Sequence, residues 1–319
     1  MEKTPLVISP AMTNTDYPGL YRSSDAASVR AQNVYLFLQR AYLGSLVIGS
    51  GVAVFIPLAS GPTKTCLYTA MAIVLLSGLF ILWITRSRLD DKAWFDGRAI
   101  AESVKTATWR FMMIAPPFQS NDTVEERFVA ELREIRKARA NFGKHLAGSL
   151  DSSDSAITGF MRQTRAESFD QRKSFYLEAR VRSQLTWYSD KARVNAITGS
   201  KWFWGTVGLQ GVAVVIAVIQ AVSGGLGINL LPVFTTSAAA FAAWNQMKRH
   251  EELAQAYALA TQELGELEAI ANNINSEPTF AQFVEQTEES ISREHTMWCV
   301  YCPSHFRTTP SCTFAFHAA

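Results

Sequence analysis

Charge is missing from three long stretches of this sequence. Asp, Glu, Lys and Arg are absent from Ala41 to Thr63, from Thr65 to Thr85 and from Trp202 to Met247. Elsewhere acids and bases are plentiful and nearly balanced, at 28 and 30. A helix in a soluble core normally shows one face to water, which argues against reading these runs as buried core helices. A bilayer core about 30 Å thick takes ~20 apolar helical residues to cross. The first two runs each fit one crossing and the third fits two. Turn-forming residues divide them, at Ser60-Gly61-Pro62-Thr63-Lys64 and at Ser223-Gly224-Gly225-Leu226-Gly227-Ile228-Asn229. The sequence predicts an all-α membrane protein with four transmembrane helices, roughly 41–59, 65–85, 202–222 and 229–247. These form two hairpins, joined to long cytoplasmic helices.

Further absences narrow the function. There is no phosphate loop, no dinucleotide fingerprint and no His-Glu-x-x-His zinc helix. The glycines of Gly49-Ser50-Gly51 and Gly224-Gly225-Leu226-Gly227 lack the strand-to-helix setting of a nucleotide loop and read as packing and turn residues. His250-Glu251 has no second ligand at helical spacing and reads as part of a solvated face. No enzyme and no cofactor is expected. A net charge of +2 gives no footprint for nucleic acid. Ionisable groups within the spans, the mark of coupled transporters, are also lacking. Cysteine is scarce, at four residues. Cys299, Cys302 and Cys312, with His305 or His317, could close a tetrahedral zinc site, but only one Cys-x-x-Cys pair is present. A tail of reduced thiols is the simpler expectation, and no metal is assigned. The polar first 40 residues show no cleaved signal peptide.

Basic residues set the orientation, because short loops rich in Lys and Arg stay in the cytoplasm. Only Lys64 lies in a hairpin turn. Arg30, Arg40, Arg86, Arg88, Lys92, Lys191, Arg193, Lys201, Lys248 and Arg249 flank the other ends of the spans. Both termini and residues 86–201 are expected inside. Tyr42, Trp83, Trp202, Trp204 and Trp244 fall near span ends, where amphipathic rings favour the headgroup zone.

The organisation reads as a loose leader (1–15), a first two-span unit (16–148), a Ser-rich linker (149–168), a second two-span unit (169–298) and a Cys-containing tail (299–319). Thr123-Val-Glu-Glu126 predicts a capping box opening a helix that carries Phe128, Leu132, Ile135, Phe142 and Leu146 on one side. Leu253, Tyr257, Ala260, Leu264, Leu267, Ala271 and Ile274 recur at alternating steps of four and three, a seven-residue repeat. It suits an intersubunit coiled coil, with Leu253, Tyr257, Leu264, Leu267 and Ile274 as its seam, or hairpin packing within one subunit. Phe280, Val284, Thr287, Ile291 and Trp298 share one face of a last helix.

In the third span Thr206, Gln210, Ala213, Ala217 and Gln220 lie on one face. Small and amide residues there can pack helices or line a wet pore. Trp94, Arg98, Glu102, Lys105 and Trp109 form a mixed aromatic and charged face after the second span. Its Arg98–Glu102 and Glu102–Lys105 pairs, read as surface pairs, are worth only a few tenths of a kcal/mol. That face is a fixed seam or a coupler that changes partner.

Two stretches resemble a known family. Trp94-Phe-Asp-Gly97-Arg98-Ala-Ile-Ala-Glu102-Ser-Val-Lys105-Thr-Ala-Thr-Trp109-Arg110 is similar to the signature of the SLATT proteins, the SMODS- and SLOG-associating two-transmembrane effectors. Tyr176-Leu-Glu-Ala-Arg180-Val-Arg-Ser-Gln184-Leu-Thr-Trp187-Tyr188-Ser-Asp-Lys191-Ala192-Arg-Val-Asn195 resembles that of another SLATT subtype. Together the two units span about residues 16–298. The resemblance implies a bacterial antiphage effector in the cytoplasmic membrane, a homo-oligomer that permeabilises or depolarises it. It also implies a trigger, a cyclic-nucleotide-type signal or a separate sensor protein. Arg180, Gln184, Trp187, Tyr188, Lys191 and Asn195 are then candidate coupling residues ahead of the third span. A non-conducting scaffold that recruits partners through its cytoplasmic helices is the alternative.

Overall fold

The structure, a computed structural model, describes residues 12–119, 122–146, 155–223 and 227–300, apart from the side chains of 141, 144 and 293–300. The zinc candidates Cys299, Cys302, Cys312 and His317 lie outside the described side chains, as do residues 149–154 of the linker. Among the described residues every regular element is helical. The helices are α1 (Gly19–Phe55), α2 (Gly61–Arg88), α3 (Asp90–Met112), α4 (Val124–Lys137), α5 (Gly143–Leu146), α6 (Gly159–Ala166), α7 (Phe169–Tyr176), α8 (Ser183–Ser223), α9 (Leu231–Lys248), α10 (His250–Ala271) and α11 (Glu277–Val300). A π-helical turn, Leu177–Arg182, joins α7 to α8.

Among the described residues three helical runs are long and apolar enough to cross a membrane: Gly19–Leu58, Gly61–Met112 and Phe169–Ser223. The fourth expected span forms α9 but is not among them. It has 18 residues, and Thr235, Thr236, Asn245 and Gln246 dilute its apolar character. The two halves share local construction. Proline stands in the first turn of both α2 and α9, where its missing N–H costs no helical bond. Both helices stop at a left-handed non-glycine residue, Leu89 at φ 53° and Arg249 at φ 50°. An acidic first turn opens the next helix each time, Asp90-Asp91 in α3 and Glu251-Glu252 in α10.

Packing divides the chain into two compact units along a line that crosses these halves. One comprises Met1–Ala31, Lys92–Asp190 and Ala256–Ala319; the other comprises Gln32–Asp91 and Lys191–Gln255. The first is built on one apolar core. Ile100, Val104, Trp109, Phe111 and Met112 of α3 meet Phe128 and Leu132 of α4, Met161 of α6, Phe175 and Tyr176 of α7, and Phe280 and Val284 of α11. Each fully buried large side chain contributes about 1.5–3 kcal/mol, so this core is the unit's main source of stability. Arginines tie down the segment after α3. Arg165 donates to the carbonyls of Phe111 and Phe118, and Arg172 to that of Met113. A helix end leaves such carbonyls without partners, and cations there are favourable.

The second unit is held by close approaches at small residues. A Cβ on Gly78 of α2 would stand 2.8 Å from Ser45 Oγ of α1, and one on Gly205 of α8 would stand 3.1 Å from Phe241 of α9. Trp202 packs edge-on against Phe241 and tilts against Trp244. Outer faces of α2 and α8 leave Leu76, Leu79, Phe80, Trp83, Trp204, Val215, Val218 and Val222 exposed. Apolar surface on that scale marks a face that meets something other than water.

Three expectations are corrected. Thr123 stands at the N-cap of α4 without a side-chain cap bond, because its ψ of 16° is not the extended geometry a capping box needs. Gly159–Ala166, within the stretch read as linker, is helical with Met161 fully buried. His250 is no solvated residue. The left-handed turn at Arg249 sets it against Gly199, and its Nδ1 lies 2.8 Å from Asn195 Oδ1.

Candidate functional site

The two family-like stretches meet inside the first unit. In α3 the spacing of Trp94, Arg98, Glu102, Lys105 and Trp109 generates one face, as expected. Gly97 is glycine because two side chains occupy the space beside it: a Cβ there would come within 2.6 Å of Phe142 and 3.0 Å of Ser28. Trp94 stacks on Phe95, and its carbonyl accepts a bond from Ser28 Oγ. Arg98 bridges Asp25 of α1 and Glu102, at 3.6 and 2.8 Å, and Lys105 approaches Glu102 at 3.9 Å. These pairs are not at the free surface, for Glu102 is buried and Lys105 largely so. Burial lowers the Lys105 pKa, with Glu102 opposing it.

Trp109 is fully buried at the end of this face. Its Nε1 donates to Tyr17 Oη at 3.2 Å, and its ring packs against Phe175 and Tyr176. The guanidinium of Arg180 lies 6.0 Å from the ring centre. Arg180 belongs to the π-helical turn, a rare geometry that recurs at functional sites.

Arg180 faces Glu288 of α11, and both are buried, with side chains 2% and 0% exposed. Nε and Nη2 donate to the two carboxylate oxygens, each at 2.8 Å, in a two-pronged grip. Tyr176 Oη donates to one oxygen at 3.1 Å and Thr106 Oγ1 to the other at 3.0 Å. The carboxylate therefore accepts four bonds. Burial works against the Arg180 charge, but Glu288 outweighs it and raises the arginine pKa. Burial, then Glu288, pushes the Tyr176 phenol well above its ordinary value, which keeps it a donor. Chemically this is a closed latch between α3, the π turn and α11, with its charge held by geometry.

Beyond the latch, Gln184 is half-buried and Lys191 is exposed. Tyr188 stacks on Tyr257 of α10 at 5.8 Å, and Trp187 meets the same ring edge-on at 5.3 Å. Asn195 donates to the Lys191 carbonyl as well as meeting His250. The seven-residue repeat is covered by the chain itself: Tyr257, Leu264 and Ile274 are buried, Leu253 and Leu267 partly so. The face offered as an intersubunit seam is thus occupied within one subunit.

The third-span face is mixed. Thr206 bonds back to Trp202, Gln210 is exposed, Ala213 is buried and Ala217 is half-buried. Gln220 Nε2 donates to Asn229 Oδ1 at 3.0 Å, which also accepts the Leu231 N–H. That amide therefore braces the turn into α9. No group of His, Cys, Asp and Glu suited to a metal occurs among the described residues.

Sequence reasoning missed Glu288, Tyr176, Thr106 and Tyr17. Glu288 was discoverable, as an acid four residues after Val284 on the face that carries Phe280, Thr287 and Ile291.

Comparison with known proteins agrees with this layout. The family model for SMODS and SLOG-associating 2TM effector domain 3 matches residues 18–173. That for SMODS and SLOG-associating 2TM effector domain 1 matches residues 176–298. No curated protein and no solved structure matches. Arg180 and Glu288 lie in the second matched segment, Thr106, Trp109 and Tyr17's neighbour Pro18 in or at the edge of the first. The chain belongs to the SLATT family and carries two such units in succession.

Proposed function

We propose that this protein is a regulated membrane effector of a bacterial antiphage system, one that oligomerises and permeabilises or depolarises the cytoplasmic membrane. In this reading the four apolar segments cross the bilayer as two hairpins, with both termini and the polar helices inside. A nucleotide signal or a partner sensor acts on the polar helices, and no catalysis is assigned to the chain.

One observation carries the reading. The latch sits on a single helical run, Phe169–Ser223, that continues into the third apolar segment. Releasing Arg180 from Glu288 would let the π turn relax to ordinary α geometry, which rotates everything that follows it along that run. The exposed Gln210 would turn with it and is the amide best placed to hold water in a conducting path.

The test is ion flux through liposomes containing the purified protein. Unaltered protein should stay closed without the trigger, and Arg180→Met with Glu288→Leu should change the closed-to-open balance while the protein remains inserted. Absence of flux from inserted, oligomeric protein under every trigger would leave the scaffold.

A further inference from the structure

Two cations of the second unit, Arg40 and Lys248, form no ion pair with a carboxylate among the described residues. Arg40 of α1 places its guanidinium 4.9 Å from the ring centre of Trp244 on α9. Lys248 follows Trp244 by four residues, so it shares that face of α9. Burial lowers the Lys248 pKa, and the charge acting on it is the like-signed guanidinium of Arg40. Arg88 and Arg249 of the same unit differ, being paired with Asp90 and Glu252.

Like charges close together at a partly desolvated site repel, and the carbonyls ending α9 compensate only in part. An anion would remove the repulsion. Trp244 adds a flat, amphipathic wall of the kind that sits at the headgroup level. Exposed apolar surface on α2 and α8 of the same unit, at Leu79, Phe80, Val215 and Val218, gives acyl chains a surface to follow.

We infer that Arg40 and Lys248, walled by Trp244, bind the phosphate of an anionic phospholipid headgroup. The inference rests on the membrane reading above. It adds that the protein distinguishes anionic from zwitterionic lipid through this site. Arg40 supplies a planar fork for the phosphate and Lys248 a point charge.

The full-length protein in neutral detergent is titrated with short-chain phosphatidylglycerol, short-chain phosphatidylcholine or inorganic phosphate, and bound molecules are counted by native mass spectrometry. Saturable binding of phosphatidylglycerol is expected, weakened about tenfold or more in Arg40→Gln with Lys248→Gln, since each cation near an anionic lipid surface contributes a several-fold factor. Arg40→Lys should recover part of the binding, and Arg88→Gln should leave it unchanged, with helicity preserved throughout. Equal binding of phosphatidylcholine, displacement by inorganic phosphate at matched concentration, or full binding by the double variant would overturn the inference. Flotation with vesicles of phosphatidylcholine alone separates the two readings. Protein that inserts there but shows no preference for phosphatidylglycerol refutes only the headgroup site, whereas protein that enters no vesicle refutes the membrane reading.

Discussion

Glu288 accepts four hydrogen bonds in a fully buried position, so its removal is costly and its replacement is informative. Glu288→Gln leaves the Arg180 charge buried without its counter-ion, and a loss of about 3–5 kcal/mol is expected in chemical unfolding of the polar helices. Replacing both partners with apolar residues of similar volume, Arg180→Met with Glu288→Leu, should recover most of that stability, since a buried pair seldom outperforms well-packed apolar side chains. A double variant as unstable as the single one would show that Tyr176 and Thr106 need the carboxylate more than Arg180 does. The tyrosines make a separate prediction. Burial and then Asp25 push the Tyr21 phenol up to about 12, and burial raises Tyr17 and Tyr176 as well. An unfolded tyrosine titrates near about 10. A pKa raised on folding stabilises fully below the unfolded value and loses its effect as pH climbs through the folded one. Stability should therefore fall between about pH 10 and pH 12. Tyrosinate absorbance should rise together with loss of helicity, and ionisation of these rings before unfolding would contradict their burial.

At the level of helices, much was legible because bilayer length and helical period are strong signals. The three charge-free runs became α1 with α2, α8 and α9, and the seven-residue repeat became α10 as far as Ala271, with Ile274 past its end. Other features depended on partners far away in sequence. Nothing near His250 announces Asn195, 55 residues away, and Gly97 has no local reason to be glycine until Phe142 is placed beside it. The repeat in α10 was ambiguous for the same reason, since a periodic face does not say whose chain covers it. Its coverage within the subunit gives a test. Leu264→Lys should destabilise the polar helices of each subunit, by more than a purely intersubunit seam would require, because it places a charge in a fully buried site. Protease resistance at matched oligomer mass reads this out, and unchanged resistance would mean the repeat is free for another chain. Gly97→Ala should cost about 1–3 kcal/mol by overpacking against Phe142. In the third span the two amides should separate. Gln210→Leu should abolish flux in an assembled protein, while Gln220→Leu should loosen the turn into α9 and lower expression before it alters flux.

For the molecule as a whole, orientation is testable with cysteines. In a background with Cys66, Cys299, Cys302 and Cys312 replaced by Ser, needed because Cys66 is exposed on α2 and the others would also react, Gly61→Cys should react with an impermeant thiol reagent on intact cells. Glu134→Cys, exposed on α4, should react only after lysis. Labelling of Glu134→Cys from outside would invert the proposed topology. The two family matches run end to end along the chain, whereas the core of the polar helices draws on both, and the latch joins Arg180 to a residue 108 positions later. A ribosome adding about 5–20 residues per second would finish Arg180 roughly 5–20 seconds before it delivers Glu288. During that interval the arginine has no carboxylate to receive it, while the apolar stretches of α8 and α9 are being synthesised. Nascent chains stalled before α11 would carry the apolar helices with the latch open. If the latch restrains the third span as proposed, that restraint is the last part of the fold to be completed, and it waits on one glutamate.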